Sequence, residues 1–240
     1  MNTVGKPRLL PILIIGLLAG VLNLGAAPAG GGLDGNVYDK PWPAADFTLI
    51  DQNGEKFHMA DTRGKVVVLS FIYTHCTDFC PFVALKLKAA QSLLGPDAEK
   101  AVILLVTTDP LRDTPKVLAE YSRAMGMEKS WHFVTGPLSA MRRVWKDYFI
   151  GVEIEKESAG APAPKLDLAA DQDAQKVAKG LTSEERGLAG AVIDQFGGGY
   201  GVSHDIPFWF VDPHGMMRVS LDADASPQDI ARDVRILLQE

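Results

Sequence analysis

Cys76 and Cys80 are the two cysteines of this 240-residue chain. They stand in the stretch FIYTHCTDFCPF, residues 71–82, with three residues between them, an apolar run ahead and Pro81 behind. The run reads as a strand and Pro81 as a first helical position, so Cys76 falls in the turn and Cys80 at the helix mouth. Positions i and i+4 share a helix face, which lets both sulfurs address one point. A helix N-terminus offers unpaired N–H groups and partial positive charge, and both favour thiolate. Thiolate attacks disulfides and also binds soft metals, so three chemistries are open: a structural staple, a redox couple and a metal site. The staple is the weakest of these, because so short a loop constrains the unfolded chain little. Two thiolates suit Cu(I) or Zn(II), and a third ligand would complete such a site.

Five histidines are available for it. His58 and His132 lie near strand starts and read as surface or packing residues, and His214 lies in a hairpin turn. His75 adjoins Cys76, but neighbouring residues project in different directions. His204 follows the glycine-rich GGGYG and precedes DIPFWF, at the same end of the expected sheet as the cysteines.

The elements that must position these residues alternate. ADFTLIDQNGEKFHM contains two short strand-like runs about Asn53-Gly54, a strong hairpin signal. KVVVLSFIYT and AVILLVTTD are continuous β-branched runs suited to strands buried on both faces. Helices are expected from Pro81 through SLL, from a cap at Asp113 or Thr114 to about Met125, over PLSAMRRVWKDYF, and from Ser226 to Leu238. HFVTG gives a further strand, and IPFWFVDPHGMMRVSLD gives two about a turn. The order is that of an α/β thioredoxin-like fold with an N-terminal β-hairpin and an insertion before the last β-hairpin. The insertion, about 156–200, holds the low-complexity SAGAPAPK and a helix near 183–196 whose Thr182 and Glu185 have capping-box spacing. Its few, interrupted apolar residues lead us to expect it outside the main fold.

Lys6 and Arg8 precede an apolar run from Leu9 to Leu24 and then GAAPAG, the pattern of an export signal, although the run is short against the about 20 residues of a membrane span. Residues 1–27 are therefore expected to be a signal peptide or a retained membrane anchor. Residues 28–40 are expected to form a flexible tether and 41–240 the thioredoxin-like domain. Export leads to an oxidising compartment, but two cysteines are too few for a disulfide scaffold. The formal charge is −6, with no basic run beyond the leader, which argues against nucleic-acid binding.

FIYTHCTDFCP, TTDPLRDTPKVLAEY and SHDIPFWFVDPHG together resemble the Sco/SenC family of copper-binding thioredoxin-like proteins, over about 40–150 and 200–238. The resemblance implies that Cys76, Cys80 and His204 bind copper, as Cu(I) or Cu(II), and that Asp109 supports them from behind. It implies a metallochaperone rather than a turnover enzyme, held by its N-terminal segment at the periplasmic face of the inner membrane. Its recipient would be the CuA-bearing subunit of cytochrome c oxidase or another copper protein. The alternative is a thiol-disulfide oxidoreductase with Cys76 as the exposed attacking thiol and Cys80 as the resolving one. Peroxide reduction ranks third, since no arginine is evident beside Cys76. Ser203 and Asp205 depart from the family pattern, where an aspartate commonly precedes the histidine and a small hydroxyl residue follows it. The stretch ahead of His204 is also longer than is typical.

Overall fold

The computed structural model describes Met1, residues 32–155 and residues 171–240. In chain order its strands are β1 (Asn36–Pro43), β2 (Thr48–Ile50), β3 (Lys56–His58), β4 (Val66–Ile72), β5 (Ala101–Thr107), β6 (His132–Val134), β7 (Val152–Glu155), β8 (Gly201–His204), β9 (Phe208–Val211) and β10 (Met216–Leu221). Its helices are α1 (Cys80–Leu94), α2 (Pro115–Met125), α3 (Leu138–Asp147), α4 (Gln172–Val177), α5 (Ser183–Phe196) and α6 (Pro227–Leu237).

β4 lies inside a six-stranded sheet ordered β1-β10-β9-β4-β5-β6, parallel to β5 and antiparallel to β9. All seven of its residues are buried, because helices cover both faces. Val66, Val68 and Ile72 point into a core with α1, α2 and α6. Val67, Leu69 and Phe71 point into the opposite core with α3 and the β2–β3 hairpin. The pleat thus divides one apolar strand between two layers, each buried aliphatic side chain contributing about 1.5–3 kcal/mol. This is the expected thioredoxin-like α/β sandwich. The β2–β3 hairpin also forms as expected. Asp51 Oδ1 accepts from Asn53 N and Glu55 N, and Gly54 takes φ +78°. Thr114 caps α2 and Ser226 caps α6.

Three regions differ from the sequence reading. Residues 36–40, assigned to the tether, belong to β1, which pairs antiparallel with β10 at the sheet edge. No residue of this edge strand is buried and only Tyr38 and Trp42 are half-buried, so no strand period reveals it. Second, β7 and β8 pair with each other, Val152 opposite His204, and close the insertion into a ribbon at its base. Third, the insertion does not stand outside the fold. Ala174, Val177, Ala178, Leu181, Ala189 and Val192 are buried in the same core as α1 and α2, and the rings of Phe196 and Tyr121 lie 5.4 Å apart. Few apolar residues suffice because helical spacing puts them on one face, and that face docks on an existing core. The α5 capping box is present: Glu185 N donates to Thr182 Oγ1 at 3.2 Å and Thr182 N to Glu185 Oε2 at 2.7 Å.

The expected leader lies outside the described residues, Met1 aside, and so does SAGAPAPK. Among the described residues no helix is long and apolar enough to cross a membrane.

Candidate metal centre

The turn after β4 is held down by a buried carboxylate. Asp113 accepts from Thr74 N at 3.2 Å, Thr74 Oγ1 at 2.5 Å and Thr107 Oγ1 at 2.5 Å. Three donors make its burial tolerable, and they tie the segment just before Cys76 to the β5–α2 connection. α1 then begins at Cys80 with Pro81 in its first turn and no side-chain cap; Phe82 N and Val83 N donate to Phe79 O, and the Cys80 N–H serves the Cys76 sulfur.

Both cysteines are free thiols and both are buried, Cys76 at 4% exposure and Cys80 at 0%. The expectation of an exposed attacking thiol at Cys76 is corrected: the insertion crosses the cysteine loop. Gly198 N donates to His75 O at 3.3 Å, and a Cβ at Gly197 would lie 2.7 Å from Thr77 Cγ2.

The two sulfurs differ electrostatically. Burial alone would raise the Cys76 pKa, but hydrogen bonds from the Cys80 thiol and from Cys80 and Asp78 N–H groups outweigh it, and the net direction is down. Burial and the hydrogen bond to Cys76 push Cys80 well up. Of the two, Cys76 is therefore the thiol that gives up its proton first and Cys80 the one that keeps it. Between them Asp78 is pushed up to about 6 by burial and by the carboxylates of Asp171 and Asp173 on the insertion.

His204 ends β8 rather than sitting in a free loop. Its Nε2 stands 3.8 Å from Cys80 Sγ, and its Nδ1 lies 2.9 Å from Asp205 O. A carbonyl only accepts, so Nδ1 carries the proton and the Nε2 lone pair faces the sulfur, the arrangement of a metal-ligating imidazole. Burial lowers the His204 pKa and keeps the ring neutral. Tyr73 links the halves of the site. Its hydroxyl accepts from Val202 N at 3.2 Å and donates to Cys76, and its ring lies 5.8 Å from that of His204. Cys76, Cys80 and His204 do not yet form a closed cluster: among the described residues no three Cys, His, Asp or Glu side chains are arranged to hold a metal. The donor set nonetheless suits a soft ion, with two hydrogen-bonded cysteine sulfurs, one of lowered pKa, and one neutral imidazole.

Asp109 is buried and acts at a distance from the sulfurs. It pairs with Arg112 Nε and accepts from Tyr200 Oη at 2.8 Å. Arg112 donates to Gly198 O and Tyr200 O, each at 2.9 Å, and its guanidinium lies 3.7 Å from the Tyr200 ring centre. The glycine-rich stretch before β8 is thus clamped to the β5–α2 connection. Tyr73, Arg112 and Tyr200 were not singled out from sequence, and Asp113 figures there only as a candidate helix cap. Arg112 and Asp113 lay in the quoted DPLRDTP, and Tyr73 in FIYTHC, but their partners are more than 85 residues away for the clamp. The other histidines stay apart: His58 Nδ1 meets Thr48 Oγ1, His132 meets Asp51, His75 meets Thr74 Oγ1, and the His214 carbonyl accepts from Arg63.

A family model described as SCO1/SenC matches residues 39–166, more than half of the chain, including both cysteines and Asp109 but ending ahead of His204. The SCO2-like protein of Rickettsia felis is 35% identical over 119 residues, covering 46% of this chain and 57% of that protein. Protein SCO2, mitochondrial, of Saccharomyces cerevisiae is 41% identical over 76 residues, covering 31% of this chain and 25% of that protein. The chain thus spans less than two thirds of the length of these relatives. Among solved structures, apo Sco1 from Thermus thermophilus superposes with a TM-score of 0.62 at 23% identity, covering 88% of this chain and 99% of that one. Bradyrhizobium japonicum ScoI, solved with copper bound, gives 0.58 at 21%, covering 81% and 98%. At these identities the superpositions speak for the fold alone, and the family match over more than half of the sequence establishes that this chain belongs to the SCO1/SenC family.

Proposed function

We propose that this protein carries copper as cargo, taking one ion per chain through Cys76, Cys80 and His204 and handing it to another copper protein. The observation that carries the reading is the approach of His204 Nε2 to Cys80 Sγ at 3.8 Å, beside a second cysteine of lowered pKa at a helix mouth. The copper-bound structures of family members support the choice of metal. Cu(I) is satisfied by two sulfurs in near-linear geometry, and Cu(II) needs the imidazole as well. A ribbon-borne histidine beside a cysteine pair gives one protein a means to hold both states. The recipient we favour is the CuA-bearing subunit of cytochrome c oxidase, and the place of action is the periplasmic face of the inner membrane, reached through the N-terminal segment. The test is to add Cu(I) and Cu(II) to the reduced full-length chain and to His204→Ala. Loss of the sulfur-to-Cu(II) charge-transfer absorption with Cu(I) retained supports the three-ligand site, and an unchanged Cu(II) spectrum rules it out.

A second reading is thiol-disulfide reduction, favoured by the lowered pKa of Cys76. Cys76 would attack a partner disulfide and release one partner thiolate. Cys80 would then displace the second, leaving a Cys76–Cys80 disulfide and a partner reduced by two electrons. This chemistry does not need His204, so an active His204→Ala reductase with no copper binding in the wild type would favour it.

A further inference from the structure

A groove of about 620 Å³ opens beside the metal centre. Phe79, which lies between the cysteines, and His204 both line it, so an occupant would touch the cysteine loop and the imidazole together. Trp209 forms part of the wall; it is 8% exposed, and its indole N–H is buried with no acceptor among the described residues. An unsatisfied buried donor costs about 1–3 kcal/mol.

Phe149 stands at the groove 69% exposed, and its φ of +60° is the one positive value at a non-glycine residue among those described. That region is unfavourable for a bulky side chain. Strain of this kind persists where the surroundings enforce it, and it gathers at binding places.

The groove is also charged. Asp173, Asp205, Asp222 and Asp224 line it against a single cation, Lys176, and Lys176 is already paired with Asp173 at 2.8 Å. Asp205, Asp222 and Asp224 are exposed. Lys86, on the helix that Cys80 opens, donates to Ala223 O and Ala225 O at 2.7 Å each and so fixes the acidic loop to that helix.

We infer that this groove docks a lysine- or arginine-flanked apolar segment of the protein with which the metal is exchanged. The apolar wall and Phe149 receive the segment's side chains, and the carboxylates receive its flanking cations. A second copy of this chain is a poor occupant, since each copy carries a formal charge of −6. The inference rests on the proposed metal site for its purpose but not for its geometry.

The test uses the reduced, metal-free full-length chain and a short synthetic peptide of alternating lysine and leucine, with a glutamate-and-leucine peptide as counterpart, in titration calorimetry. The lysine peptide should bind at least about tenfold more tightly than the glutamate peptide, and raising ionic strength from about 0.05 M to about 0.5 M should weaken it by a similar factor. Asp222→Lys with Asp224→Lys should abolish the preference, and Phe149→Ala, an exposed change that leaves the core untouched, should weaken binding several-fold. Equal binding of both peptides, no binding of either, or insensitivity to both sets of changes would overturn the inference. So would self-association in sedimentation that the same variants reverse, because the occupant would then be a second copy. Cu(I) binding is measured on the same samples. A chain that binds Cu(I) but not the lysine peptide defeats the docking inference alone, and one that binds the peptide but not copper defeats the proposed function alone.

Discussion

Cys80 Sγ and His204 Nε2 lie 3.8 Å apart although 124 residues separate them in the chain. Two elements produce that approach. α1 starts at Cys80, and the β7–β8 ribbon ends at His204 opposite Val152. The ribbon in turn is held by the Asp109–Arg112–Tyr200 clamp.

Removing the clamp should therefore loosen His204 and uncover the sulfurs at once. Arg112→Ala is expected to raise the alkylation rate of Cys76 by iodoacetamide at least about fivefold, because buried thiols react only through local opening. Cu(II) binding should weaken more than Cu(I) binding. An unchanged alkylation rate would show that the ribbon keeps its place without Arg112.

Tyr73→Phe removes a hydroxyl that accepts from Val202 N and donates to Cys76. The variant should lose about 1–2 kcal/mol in urea unfolding, since a buried N–H is left without a partner. The Cu(II) spectrum should also shift, since one hydrogen bond to the Cys76 sulfur is gone.

Lys86 supplies the pH dependence. Burial holds its pKa down at about 8 against an ordinary 10.5, with Asp224 opposing the shift. The folded chain gives up this proton before the unfolded chain does, so the unfolded state binds more protons between those values and stability rises with pH there. The wild type should gain about 1 kcal/mol over Lys86→Met between about pH 8 and about pH 9.5. Parallel denaturation curves for the two proteins across that window would refute the assignment.

The insertion is expected to be integral. Val192 is 2% exposed within the main core, and Val192→Ala should cost about 1–2 kcal/mol. Deleting residues 172–196 should broaden or abolish the cooperative thermal transition, because it strips the cover from α1 and α2. A sharp transition in the deletion would return the insertion to the role of a surface appendage.

Much of this protein is legible one segment at a time. The strand-turn-helix around Cys76 and Cys80, the capping box at Thr182 and the Asn53-Gly54 hairpin follow from propensity, turn chemistry and period, which are properties of neighbouring residues. The two cysteines stand out from the chain in the same way, but His204 is preferred to His214 and the other histidines on the family resemblance together with its place after the glycine-rich stretch. What sequence could not supply is long-range pairing. β7 and β8 each have four residues and become strands only through each other, and β1 only through β10. The insertion's sparse apolar face gains its meaning from the surface it meets. The burial of both sulfurs and the acidic groove at His204 arise from groups far apart in the chain, so only the tertiary structure decided them; the unequal pull on the two thiols is set by neighbours within residues 73–80, but only in their folded geometry.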